Sequence, residues 1–184
     1  MNATITEYQI EKHEILFKAY QLLAFFYANE QISRIASPDD PKEPLKALET
    51  RFLYPKTSLL LLEIAILCRT LDDQIRKSAD SPERSNYIEK FDSFVLGQAL
   101  FDKFSLRDCL NMIIHADKIE PWTTEGVEAH KSDGVAYYGG HEKQIQWRHL
   151  DGNVFVWGQK HGKRWHHIID LPEFVEAIAS VLAD

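Results

Sequence analysis

Little in this sequence points to a membrane, an oxidising compartment or a nucleotide-phosphate loop. The longest apolar run, "LLLLEIAILC" (residues 59–68), is too short to span a bilayer and carries Glu63 inside it. The start, "MNATITEYQIEKHE", has neither the basic opening nor the apolar stretch of a signal peptide, so the cytoplasm is the expected address. Only two cysteines occur, Cys68 and Cys109, without a Cys-x-x-Cys spacing. They read as small buried hydrophobes in a reducing compartment, not as a disulfide or half a metal site. No low-complexity tract, internal repeat, Gly-rich phosphate loop or Gly-x-Ser-x-Gly elbow is present, which removes support for nucleotide hydrolysis and serine-esterase chemistry. Positive charge is also short: 21 Lys and Arg stand against 28 Asp and Glu, for a net charge of −7. Such a chain is not a generic nucleic-acid binder, because phosphate binding relies on many cations releasing counterions. A small local basic site would still be compatible with RNA.

What is there is a chain of 184 residues, enough for one domain with a real core. Residues 4–33 carry Ile15, Ala19, Leu22, Leu23 and Phe26 at helical spacing, with Glu7, Glu11, Lys12 and Lys18 elsewhere. "SPDDPKEP" (37–44) punctuates, a short helix follows over "LKALETRF", and Tyr54-Pro55 is expected to break the chain. Thr57 or Ser58 would then cap a central helix running to Lys77, and a fourth helix is expected over Glu83–Leu100. Ser105 and Asp108 form a capping-box start for a helix whose buried stripe is Leu106, Leu110, Ile113 and Ile114, ended by Pro121 at the latest.

Beyond Pro121 the character changes. "QIQWRHL" and "NVFVWG" flank Asp151-Gly152, a dipeptide suited to a two-residue hairpin. "QKHGKR" makes a second turn before "RWHHIID", giving a three-stranded antiparallel meander over residues 143–169. Asp170, with Glu173 three residues on, caps a last helix through Val181. Three short strands cannot bury Trp147, Phe155, Trp157 and Trp165 alone, so the sheet is expected to pack on the helices. The expected fold is mainly α, of the α+β class. A helical bundle over 1–120 would form one compact domain with the meander and final helix over 121–184.

Arg107, Asn111 and His115 stand four apart and would share one helix face, displaced from the apolar stripe. Arg offers a fixed fork of donors to a phosphate, and His, with an unperturbed pKa of about 6.5, can give or take a proton near neutrality. Asn could hold the imidazole or a phosphate oxygen. The competing reading is the solvent side of an ordinary amphipathic helix. A second polar group, Arg69, Asp72, Asp73 and Arg76, is either an ion-pair ladder on an exposed helix end or a second wall that orients Arg107. Glu63 faces a gap between helices or pairs with an arginine there.

The stretch "LRDCLNMIIHA", preceded by "EIAILCRTLDDQIR" in a short helical bundle, resembles the HEPN superfamily over residues 1–120. That resemblance implies a metal-independent endoribonuclease of toxin or antiphage-defence systems, without a cofactor, acting as a homodimer with two Arg-His motifs across one cleft. Arg107 would be the motif arginine, Asp108 its polar follower and His115 the general acid/base, with Asn111 beside them and Arg69 and Asp73 in support. Seven residues separate Arg107 from His115, more than is usual for the superfamily.

Six of the eight histidines follow residue 129 (His130, His141, His149, His161, His166 and His167). His166 and His167 on a strand would point to opposite faces, and no ligand spacing supports a metal site. Lys160, His161, Lys163 and Arg164 form the one local basic cluster. Lys163 and Arg164 are phosphate-contact candidates there, against the reading of a solvated turn. Two functions therefore stand side by side. One is the HEPN-like ribonuclease with an RNA substrate; the other is a non-enzymatic immunity or antitoxin-like protein whose acidic surface attracts a basic protein partner.

Overall fold

A computed structural model describes residues 10–35, 44–96, 103–129, 144–160 and 162–183. The expectations placed on residues 4–9, on most of "SPDDPKEP", and on His130, His141 and His161 lie outside these residues.

Among the described residues five helices and a three-stranded antiparallel sheet build the α+β fold. Helix α1 (Lys12–Ile35) turns Ile15, Ala19, Leu22 and Phe26 inward, all at most 5% exposed. Helix α2 (Pro44–Lys77) is one rod of 34 residues, and Pro55 lies inside it. The expected break at Tyr54-Pro55 and the expected cap at Thr57 or Ser58 are both incorrect; Thr57 is a buried interior residue of α2. A proline removes one N–H and crowds the carbonyl four residues back, which bends a helix more readily than it ends one when packing holds both halves. Here Leu53 before the proline and Leu61, Ile64, Ala65 and Cys68 after it share the core-facing side.

Helix α3 (Pro82–Ser93) starts at Ser81, whose hydroxyl accepts from the Arg84 amide at 3.2 Å. The Arg84 guanidinium donates to the carbonyls of Ile75 (3.2 Å) and Arg76 (2.9 Å) in the last turn of α2. α3 ends at Ser93, short of the expected Leu100, because Phe94 is extended and β1 (Val95–Leu96) pairs with β2 (Phe104–Ser105). Helix α4 (Leu106–Ile114) follows at once, with the complete Ser105–Asp108 capping box. Its buried side is Leu106, Cys109, Leu110 and Ile113. Ile114 is partly buried beside them. Cys68 and Cys109 are both buried and unbridged, and burial pushes both thiols up.

The sheet has the order β3-β4-β5: β3 (Lys118–Ala129), β4 (Gln144–Lys160) and β5 (Lys163–Asp170). Three strands were expected, but their division differs. Asp151-Gly152 is not a hairpin: β4 runs through it and unites the two runs expected to be separate strands, and β3 is the third strand. β3 pairs with both halves of β4, matching Pro121 with Val154 and Thr123 with Leu150, so Asp151–Asn153 form a bulge opposite Trp122. Gly152 adopts φ +96°, and Asp151 accepts the Asn153 amide at 2.8 Å. A left-handed glycine serves a bulge as well as a turn. Pro121 sits inside β3, an edge strand, where a missing N–H is tolerated. Helix α5 (Leu171–Leu182) starts as expected, with Asp170 accepting the Glu173 amide at 2.9 Å.

One core cluster joins the helices to the sheet, from Ile15 and Leu22 through Leu110 to Val154, Ile169 and Phe174. Buried Asn29 of α1 accepts the Leu150 amide at 2.8 Å, pinning the middle of β4 to the helices. The expected segment boundary at 120/121 falls within β3. Among the described residues no helix is long and apolar enough to cross a membrane.

Candidate functional site

The polar side of α4 divides between two neighbours. Toward α2, Arg107 donates through Nη2 to Asp73 Oδ1 at 2.8 Å and through Nη1 to Asp72 Oδ2. Arg69 donates through Nε to Asn111 Oδ1 at 3.1 Å and contacts Asp73; its Nη1 lies 3.7 Å from Asp72 Oδ2. Arg76 donates to Asp72 Oδ1 at 2.7 Å and reaches Asp92 of α3 at 2.5 Å. Asp72 has no exposed surface. The second polar group is therefore a packed cluster joining α2, α3 and α4, in which three guanidiniums meet three carboxylates. Burial and the neighbouring Arg69 hold the Arg107 guanidinium below its ordinary value, partly offset by Asp108. Glu63, left open between two readings above, accepts from Lys18 of α1 at 2.8 Å.

His115 does not continue the helix. It is the C-cap of α4, with φ −102° and ψ 12°, its amide donating to the Asn111 carbonyl at 3.0 Å, and its side chain is exposed. There it borders a groove of about 1140 Å³ between α4 and the end of the β4–β5 hairpin. From α4 the groove takes Asp108, Asn111, Met112 and His115. From the strands it takes Gln159, Lys160, Lys163, Arg164, Trp165 and His167.

Local sequence explains this wall. Strand alternation puts Lys163, Trp165 and His167 on one face of β5, and Arg164 borders the groove from the end of the strand beside the turn. Trp165 lies over Gly158 of β4, where a Cβ would overlap the indole ring. Its centroid is 5.7 Å from that of His167, which sits edge-on to Phe104 at 5.6 Å. The His167 ring is thus held between two aromatics while the cations gather at the turn end of the hairpin.

Of the residues singled out in the sequence, the groove joins Asn111, His115 and Asp108 with Lys163 and Arg164. Arg107, Arg69 and Asp73 are in the ion cluster behind α4 and do not border the groove. Sequence reasoning passed over His167 and Trp165. The usable signal was the two-residue spacing from Lys163 through Trp165 to His167, which gives a strand one polar-aromatic face. Among the described residues no three His, Cys, Asp or Glu side chains converge to hold a metal ion.

No known family model, curated protein or solved structure matches this chain.

Proposed function

We propose that the groove between α4 and the β4–β5 hairpin binds RNA and cleaves it without a metal ion. The observation that carries this reading is the joining of two imidazoles, His115 and His167, with Lys160, Lys163 and Arg164 in one groove of an acidic chain. One imidazole takes the proton from a ribose 2′-hydroxyl as its oxygen attacks the adjacent phosphorus. The other gives a proton to the departing 5′-oxygen. The three cations hold the phosphoryl oxygens as charge builds on them. The products are a 2′,3′-cyclic phosphate and a 5′-hydroxyl. Trp165 offers an aromatic surface for a base. The ribonuclease activity is the one that the HEPN resemblance implies, but the parts are redistributed. Arg107 becomes a positioning residue that fixes α4, and His167 joins His115.

The test is cleavage of RNA by purified protein in EDTA, with end-group analysis, beside His115→Ala and His167→Ala variants of unchanged circular dichroism. Cyclic-phosphate ends, lost by at least about 100-fold in each variant, are expected. Arg107→Gln should lower stability while retaining far more cleavage per folded molecule than His115→Ala. Absence of cleavage by the parent protein, or cleavage indifferent to both histidines, overturns the reading.

A further inference from the structure

Helix α2 carries a second pattern on the side away from the core. Leu45, Leu48, Phe52, Pro55, Leu59, Leu62 and Ile66 alternate at spacings of three and four, the a/d repeat of a coiled coil. At 100° per residue they fill a stripe about 100° wide, centred about 180° from the core side of Leu53, Leu61, Ile64 and Cys68. A heptad seam normally lies against another helix, yet here Leu48 is 54%, Phe52 43%, Leu59 45% and Ile66 46% exposed. The seam's next position is Arg69, which α4 covers through Asn111. α4 has nine residues, so most of the seam is left uncovered. α1 extends the apolar face: Tyr20, Ala24 and Ile32 line an almost wholly apolar groove of about 510 Å³ against Leu45, Leu48 and Phe52.

We infer that this face is covered by a second copy of the chain, with the two α2 helices packed antiparallel about a two-fold axis. The seam is self-complementary in that arrangement. Centred between Leu53 and Tyr54, it sets Leu45 against Leu62 of the second copy, Leu48 against Leu59 and Phe52 against Pro55, an apolar residue meeting an apolar one at each of these levels, with Ile66 beyond the paired span. The dimensions also suit. Residues 45–66 span about 33 Å at 1.5 Å per residue, and α1 alongside at about 9 Å makes the face about 20 Å wide. That is on the order of 600 Å² per molecule before side-chain relief is counted, close to the roughly 800 Å² each partner gives to a stable interface. It equals or exceeds the apolar patches that monomers usually leave open.

The test is sedimentation equilibrium of the full chain, whose protomer mass is 21.3 kDa. A dimer at micromolar concentration is expected, falling to monomer in Leu48→Glu and Leu59→Glu, both with unchanged circular dichroism because these side chains face outward. Register is read separately. A mixture of Leu48→Cys and Leu59→Cys proteins should crosslink between the two species at least tenfold faster than either alone. A parent protein that is monomeric at 100 µM (about 100 times the working concentration) overturns the inference and leaves the seam to a different helix. A dimer that survives both glutamate substitutions, or that crosslinks Leu48→Cys to itself, overturns it as well. None of these readouts involves RNA, so the inference stands or falls apart from the groove's chemistry.

Discussion

A carboxylate withdrawn from solvent is tolerated only where charged hydrogen bonds replace its hydration. Asp72 meets that condition with Arg76 at 2.7 Å on one oxygen and Arg107 on the other. Asp72→Ala would leave Arg76 with Asp92 and Arg107 with Asp73, and a loss of about 2–3 kcal/mol in urea-unfolding free energy is expected from the charged hydrogen bonds removed. A loss under about 1 kcal/mol would mean that the cluster is no more than a surface ladder. Which of the two it is could not be read from the sequence: Asp72 and Arg76 have the same i, i+4 spacing whether the helix end is bare or covered. The covering residue, Arg107, stands 35 positions away. Glu49 gives a pH-dependent counterpart. Burial alone would raise its pKa, but hydrogen bonds from Lys46, Ser33 and Asn29 outweigh burial and hold it below the ordinary value of 4.5. A depressed folded-state value contributes stability above the unfolded pKa that is lost as pH falls through the folded one. Glu49→Gln should therefore be less stable than the parent at pH 7, with the gap closing progressively below pH 4.5 in paired urea titrations. A gap that persists unchanged to the acid limit would refute an electrostatic origin.

Local capping chemistry was the most legible part of the elements. Ser105 with Asp108, and Asp170 with Glu173, set the starts of α4 and α5 at the residues where the structure places them, because a side-chain oxygen three residues from an orphan amide is a local fact. Ser105→Ala removes an acceptor at 3.1 Å from the Asp108 amide. About 1 kcal/mol of stability should go with it. The same loss should appear as faster amide exchange in the first turn of α4, and unchanged exchange there would show that packing alone holds the helix start. Where sequence reasoning failed, tertiary context had overruled a local signal. Pro55 looked like an end but is carried through by core contacts on both sides of it. Asp151-Gly152 looked like a reversal, yet β3 offers one continuous partner to both halves of β4, so the ladder is kept by bulging and not by turning. β3 itself was hidden because Pro121 argues against a strand unless that strand is known to be an edge. His115 was placed in the helix by periodicity alone, and its cap position makes it part of the groove wall instead.

Over the whole molecule the proposed activity has to work against a net charge of −7. An RNA entering the groove of this acidic chain meets Lys160, Lys163 and Arg164 as the described cations that border it. That makes the electrostatic footprint small, and its size can be measured. Each phosphate neutralised by a cation on a single strand contributes about −0.7 to the slope of log affinity against log salt, so three cations give about −2. Lys163→Ala should reduce the magnitude of the slope to about 1.4 while weakening binding at low salt more than at high salt. The comparison is made with a short single-stranded oligonucleotide in fluorescence anisotropy, using His115→Ala protein so that cleavage does not intrude. A slope of −5 or steeper would mean that RNA lies across a broader surface than this groove. A slope near zero would mean that no phosphate is held, and the acidic balance of the chain would then be the better guide to what the protein binds. The predicted value is low because the chain concentrates its few groove cations at one hairpin end, opposite a helix terminus that contributes the histidine.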